Sequence, residues 1–347
     1  MNTFRLLLLA LLFTAIPFKG FSYTDNQIVK FGKIHYKVVS GTKHTLCFLG
    51  VDDSQTGTLV ITANVTDIYG TILTVVRAEY NPFYFCKNIT SIELPETMKS
   101  IGGYAFPSAK LKSMNIPKSM EQIDEVAWGN IHHAPKFTVA AGSEYFENDA
   151  NGALYSKGGA ILHSVPSEVS LTGGKYVVDS RVKQINKGAF QNVQGLTTIV
   201  FPKNLETILY GYPTIAPTST LERCEIAPGA KNFSVTDGVL FKGTSLVLYP
   251  RGKSDPHYKV PDGITTIERY AISNSFHMET IDLNGVTNLR TSAIYAPRKL
   301  TTITLPKDIK PHDWVTKTGM AEGCFEECER VTEYKVKPEN KYFVAED

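Results

Sequence analysis

Cysteine is scarce in this chain. Five cysteines in 347 residues are too few for a disulfide-dense scaffold, and an odd number leaves at least one unpaired or intermolecular. An excess of one charge is also missing: 36 Lys and Arg stand against 34 Asp and Glu, a net charge of +2. Bulk attraction to a polyanion such as nucleic acid is thereby excluded, because phosphate-driven affinity needs clustered basic residues. Beyond the N-terminal segment no apolar run approaches the roughly 20 residues that cross a bilayer. The Walker, dinucleotide-glycine, His-Glu-x-x-His and Gly-x-Ser-x-Gly patterns do not occur, so no cofactor is expected. Eight histidines are spread without metal-ligand spacing. The hydrophobic fraction of 42% and charged fraction of 20% are ordinary for a folded protein. The length allows two globular domains or one elongated array of repeats.

Residues 1–22 read as a secretory signal. Arg5 supplies a positive start, Leu6 to Ile16 form an apolar stretch of 11 residues, and Pro17 ends it. Gly20-Phe21-Ser22 then places small residues at the two positions a signal peptidase inspects. The alternative, a membrane anchor, is too short to span hydrocarbon. Cleavage after Ser22 would remove Arg5 and Lys19 and leave the mature chain at +2 − 2 = 0. The expected location is therefore secreted or cell-surface.

What the body of the chain does have is a repeated phrase. An extended apolar pair closed by proline is followed by two aliphatics three apart, then by a small residue beside an aromatic. It occurs as Ile92-Glu93-Leu94-Pro95, Met98, Ile101, Ala105-Phe106 and again as Met114-Asn115-Ile116-Pro117, Met120, Ile123, Ala127-Trp128. Further copies run through Ile185 and Ala189-Phe190, Ile199 to Pro202, Ile264 and Ile267, Ile281-Asp282-Leu283, and Ile303-Thr304-Leu305-Pro306. Pro95 and Pro117 are 22 residues apart, and six residues separate Pro95, Pro117, Pro202 and Pro261 from the second aliphatic of their copies. Ile-x-Leu alternation puts two apolar side chains on one face of a short strand, and the proline withholds an N–H and stops the ladder. The spacing from Ile101 to Ala105-Phe106 matches one turn of helix back toward the core. A single unit cannot bury its apolar side, whereas stacked neighbours can. The expected fold is a β-rich α/β solenoid with a period of about 22–23, short parallel strands and short helical turns.

Two longer segments interrupt the array and resemble each other. Phe233 to Phe241 contains Asp237-Gly238 and leads to Tyr249-Pro250, while Tyr145-Phe146 leads through Asn151-Gly152 to Val165-Pro166. Asn-Gly and Asp-Gly before alternating apolar residues are hairpin signals. Gly152 and Gly238 lie 86 residues apart, which sets a larger period of one hairpin insert plus two repeats.

These phrases resemble the BspA-like bacterial leucine-rich repeat proteins, whose repeats carry the same Ile-x-Leu-Pro, Val-x-x-Ile and Ala-Phe wording and whose Asp-Gly-Val-Leu-Phe … Tyr-Pro insert resembles 237–250 here. The resemblance runs over roughly residues 24–347 and departs from the pattern at Pro82-Phe83, at Tyr212-Pro213 and in the extra residues of 310–323. The expected organisation is signal 1–22, N-terminal β segment 23–80, repeats 81–140, insert 141–178, repeats 179–227, insert 228–259 and repeats 260–336. Residues 337–347 match the start of an insert, since Pro338, Lys341, Phe343 and Asp347 are spaced like Pro228, Lys231, Phe233 and Asp237. A third insert is therefore expected to begin there and to be cut short. The resemblance implies an exported or surface-exposed interaction protein, adhesin-like, with a host extracellular protein as partner.

Chemistry-bearing candidates are few. Cys324 and Cys328 lie downstream of His312 and Asp313, and a zinc site, a Cys-His nucleophile or a disulfide are all open. Against these, Cys86 follows Phe83 as Cys328 follows Phe325, three residues on in each case, which reads as one core slot used in two repeats. Cys47 and Cys224 read as core, and His132-His133 read as surface histidines in a turn. What remains is the strand face that alternates with the core: Thr90, Glu93, Lys112, Asn115, Thr198, Val200, Thr280, Asp282, Thr302, Thr304, Glu333 and Lys335. Its threonines suit any exposed strand, and they equally suit one continuous binding face. The expected function is non-catalytic binding of a macromolecule, with a carbohydrate-binding or envelope-structural role as the alternative. Aromatics gathered on one exposed strip would mark the latter.

Overall fold

The computed structural model describes residues 22–52, 55–80, 88–106, 111–128, 131, 133–209, 220–311 and 319–343. Residues 1–21, to which most of the expected signal belongs, Pro82-Phe83, Cys86, His132, Tyr212-Pro213, His312-Asp313 and residues 344–347 lie outside the described residues.

Each repeat is a coil with three straight sides, and like sides stack in parallel. On the first side, Gly57–Val60, Ile89–Glu93, Ser113–Ile116 and Lys136–Val139 pair in order. Ile92, Met114 and Phe137 fall in register and are buried, as the Ile-x-Leu alternation requires. On the second side, Ala78, Ile101 and Ile123 are in register. On the third, the Tyr104 and Ala105 N–H groups donate to Val126 and Ala127 carbonyls at 3.0 Å. Inside this coil Phe106 stacks on Trp128 at 4.8 Å, and Trp128 meets Phe137 edge-on at 4.8 Å. Burying each such side chain contributes about 1.5–3 kcal/mol, and only the neighbouring coil makes that burial complete.

The helical turns expected from the sequence are absent: the described residues form strands and turns and no helix. Left-handed corners explain why. Tyr104 (φ 49°), Tyr270 (φ 57°) and Ser292 (φ 53°) each stand three residues after the second-side aliphatic, with glycines in the same slot at 188 and 323. A second corner follows the third side at Asn192, Asn274, Ala296 and Glu327, all with positive φ. One left-handed residue reverses the chain in a single step and cannot belong to a right-handed helix. The spacing of four and five residues is thus the geometry of a corner, and the fold is a strand-dominated leucine-rich repeat rather than an α/β one.

Each insert is a three-stranded antiparallel meander whose last strand joins the second side of the stack. Phe146–Asn148, Leu154–Ser156 and Ile161–Ser164 lead to Gln184–Ile185. Phe233–Thr236, Val239–Lys242 and Ser245–Leu248 lead to Thr266–Ile267. The chain opens on the same device, with Ile28–Phe31, Ile34–Ser40 and Thr45–Val51 leading in parallel to Ile72–Ala78.

The tip of each insert docks on the preceding first-side strand. Gly152 accepts the Phe137 N–H at 3.0 Å and Gly238 accepts the Cys224 N–H at 2.8 Å. Both glycines have positive φ, and an added Cβ would lie 2.3 Å from Lys136 Cγ or 3.0 Å from Arg223 Cβ. By inserting there, the meanders divide the first side into ladders of four, three and four strands. The single continuous face expected from the sequence is therefore three separate faces. In the last block, Thr302 pairs with Glu333 on the first side, Asn288 with Gly319 on the second and Ile294 with Phe325 on the third. All three pairs are 31 residues apart, so the extra residues fall between Leu305 and Gly319 and the flanking registers are intact.

Candidate binding faces and clefts

The outward positions of the eleven first-side strands come in two rows per ladder. In the last ladder one row is His257, Thr280, Thr302, Glu333 and the other is Lys259, Asp282, Thr304, Lys335. Six of the sequence candidates are brought together here. The Thr302 hydroxyl donates to Glu333 at 3.1 Å, and Thr280 Oγ1 lies 3.1 Å from His257 Nδ1. Asp282 accepts the Asn284 N–H at 2.8 Å and lies 3.4 Å from Lys337 Nζ. Thr304 is half-buried without a side-chain partner.

The other two ladders treat their candidates differently. Lys175 and Glu225 sit on the strands flanking Thr198–Phe201 and pair across it at 2.8 Å. In register Thr198 lies between Lys175 and Arg223 and is only 7% exposed; a short hydroxyl side chain between long ones is covered by their stems. Thr198 is therefore withdrawn as a binding residue, and Val200 beside it is half-buried. In the first ladder, the Asn115 carboxamide accepts the Leu94 N–H at 3.1 Å and donates to the Leu94 carbonyl at 3.3 Å. It ties two coils together and has little left for a ligand. Thr90, Glu93 and Lys112 are exposed. None of the outward positions in any ladder is Phe, Tyr or Trp.

Clefts open where the inserts meet the ladders, and the sequence carried little sign of them. One of about 830 Å³ lies between Glu222–Ile226, the Asp237-Gly238 tip and Gly252–Ser254. Its Lys253, almost fully buried, reaches Asp237 at 2.8 Å and Asp255 at 2.9 Å. Burial alone would lower the lysine pKa; the two carboxylates outweigh it and hold it above its ordinary value. The Arg251-to-Asp255 loop thus pins the insert tip. The equivalent cleft of the first insert, about 240 Å³, contains His133 and Glu168. His133 bridges Leu111 O at 2.7 Å and Glu168 Oε1 at 3.0 Å, so it is a structural link and not a free surface histidine. A third cleft, about 540 Å³, lies between Gln122–Val126 and the start of the next block at Ile161, His163, Gln184 and Asn186.

The thiols are built for packing. Cys47, Cys224, Cys324 and Cys328 are free, the first three buried. Burial pushes Cys324 up to about 11 and Cys328 up to about 12, which keeps both protonated and weakly nucleophilic. No group of three or more His, Cys, Asp and Glu among the described residues is arranged to hold a metal.

A repeat unit described as the BspA type leucine-rich repeat region matches in six copies over residues 71–152, 172–227 and 256–345. The chain belongs to the BspA-type leucine-rich repeat family. The matched blocks of this BspA-type chain leave out most of the N-terminal meander and the interiors of the two inserts. No curated protein matches it. Among solved structures it is similar to a leucine-rich cell surface protein of Faecalibacterium prausnitzii, at 13% identity over 90% of this chain and 95% of that one, TM-score 0.40. It is also similar to the pneumococcal vaccine antigen PcpA, at 14% identity over 94% and 100%, TM-score 0.44. A Bacteroides ovatus leucine-rich repeat protein shares 17% identity over 90% and 78%, TM-score 0.37.

Proposed function

We propose that this protein is an exported, non-catalytic interaction protein, adhesin-like, that binds another protein through the outward face of its strand ladders. The observation that carries the reading is the ladder face itself: rigid, in register, polar and β-branched, and without aromatics. A hydrogen-bonded sheet loses little conformational freedom on association, which favours a broad macromolecular contact over a deep small-molecule site. The ladder of His257–Lys259, Thr280–Asp282, Thr302–Leu305 and Glu333–Val336 is the proposed centre, because it presents Thr280, Asp282, Thr302, Thr304, Glu333 and Lys335 together. Carbohydrate recognition on this face would need aromatic platforms for sugar rings, and the outward positions offer none. The export reading rests on the pattern of residues 1–22. The test is binding of the full chain to immobilised extracellular-matrix proteins and glycans. Saturable binding to a protein that is weakened by changes in this ladder supports the reading; no saturable binding to any protein, or protein binding insensitive to changes in this ladder, opposes it.

A further inference from the structure

The cleft between Gln122–Val126 and the block beginning at Ile161 contains a polar group that the fold does not require. His163 is 6% exposed, lines this cleft, and packs edge-on against Phe146 with ring centroids 5.3 Å apart. In the second insert the corresponding residue is Val247, buried in core, because Leu162 pairs with Ile185 as Leu246 pairs with Ile267. A histidine in place of that valine needs another explanation.

Its hydrogen bonds define its proton. Gln184 Nε2 donates to Asn186 Oδ1 at 2.8 Å, which identifies the carbonyl end of the Asn186 amide. The NH2 end is then the one 3.1 Å from His163 Nδ1, so Nδ1 accepts and the neutral ring carries its hydrogen on Nε2. Burial pushes the His163 pKa down to about 4, so the ring is neutral across the physiological range. Among the described residues the Nε2–H meets no acceptor, and it is not sealed from solvent; a donor in that state on the lining of a cleft is available to a bound group.

The rest of the lining indicates what that ligand is. Asp124, whose Oδ1 also accepts the Val126 N–H at 2.9 Å, and Glu125 stand on the facing wall with the Gln122 amide, and among the described residues no Lys or Arg lines the cleft. Lys187, beside Asn186, is held by the Tyr104 hydroxyl and lies 4.9 Å from the centre of that ring, which ties the two walls together. Two carboxylates without a balancing cation repel phosphate and other anions. A cation would find acceptors in the carboxylates but would face the His163 N–H. A hydroxyl group donates to a carboxylate and accepts from an imidazole N–H, and so satisfies both walls. The volume, about 540 Å³, is in the range of small-ligand sites.

We propose that this cleft binds a neutral saccharide through its hydroxyl groups, with His163 as donor and Asp124 and Glu125 as acceptors. The site is remote in kind from the strand face: it works by hydrogen bonding in a cleft, and its success or failure is independent of protein binding on the ladders.

Saturation-transfer NMR on the full chain tests it, with glucose, galactose, mannose, N-acetylglucosamine, lactose, maltose and chitobiose as probes and inorganic phosphate and lysine amide as counter-probes. At least one sugar should bind saturably. His163→Val, which installs the residue of the second insert, should weaken that binding about tenfold, the loss of one buried hydrogen bond to the ligand. Glu125→Gln, at an exposed position, should weaken it several-fold while leaving the fold untouched; it decides the matter if His163→Val does not fold. The proposal is overturned if no sugar saturates, if phosphate or lysine amide binds while the sugars do not, or if affinity is unchanged in Glu125→Gln and in folded His163→Val.

Discussion

The middle and last strand ladders share a backbone and differ in what they do with it. Both stack parallel strands at repeat spacing, and both bury an aliphatic column beneath. In the middle ladder Lys175 crosses to Glu225, and Thr198, in register between Lys175 and Arg223, is buried. In the last ladder Thr280, Thr302 and Thr304 stay half-exposed, although Lys335 lies 3.5 Å from Glu333 and Lys337 lies 3.4 Å from Asp282. Inward residues therefore determine that a ladder forms, while outward residues determine whether its face is available. A repeat array can assign its binding role to one block and leave another as scaffold.

Substitutions at matched positions can break or sharpen this contrast. Thr198→Glu forces a carboxylate into a buried position and should cost about 2–3 kcal/mol in urea unfolding, whereas Thr280→Glu should change stability by less than about 0.5 kcal/mol. Equal costs at the two sites would remove the contrast. Asn115→Ala removes both hydrogen bonds to Leu94 and should cost about 1–2 kcal/mol, against under about 0.5 kcal/mol for Thr304→Ala, which has no side-chain bond to lose. The smallest effect is expected for Lys175→Ala. Its pair is well exposed, 43% and 33% at the two side chains, so about 0.5 kcal/mol or less should be lost, and less still in high salt. A larger loss would mean that the bridge is a structural support.

The inward half of this picture was legible in the sequence. Ile92, Met114, Ile199, Ile281 and Ile303 all lie in the core where the alternation placed them, because a period-two pattern on a short strand admits one register. The insert hairpins were legible through Asn151-Gly152 and Asp237-Gly238, whose turn chemistry is local. The corners were not. Tyr104, Ser292 and Glu327 adopt a left-handed backbone that their residue types disfavour, and the stacked neighbours rather than the local sequence hold them there. The N-terminal segment was legible as β, but not as a meander like the inserts, because it lacks their Tyr-Pro ending. Among site candidates, Thr198 is buried between Lys175 and Arg223, 23 residues before it and 25 after, and no motif marks His163. Both are properties of pairings across coils, which no local pattern encodes.

The central claim, that the last ladder binds a protein partner, is tested most directly by measuring affinity for an immobilised matrix protein that the full chain binds. The comparison is between Thr280→Glu/Thr302→Glu/Thr304→Glu and the matched middle-ladder change Lys175→Ala/Glu225→Ala. The account predicts at least about a tenfold loss for the triple substitution, a penalty of about 1.4 kcal/mol, with a native melting curve and no change for the middle-ladder pair. Unchanged affinity in the triple variant, or an equal loss in both, would contradict it.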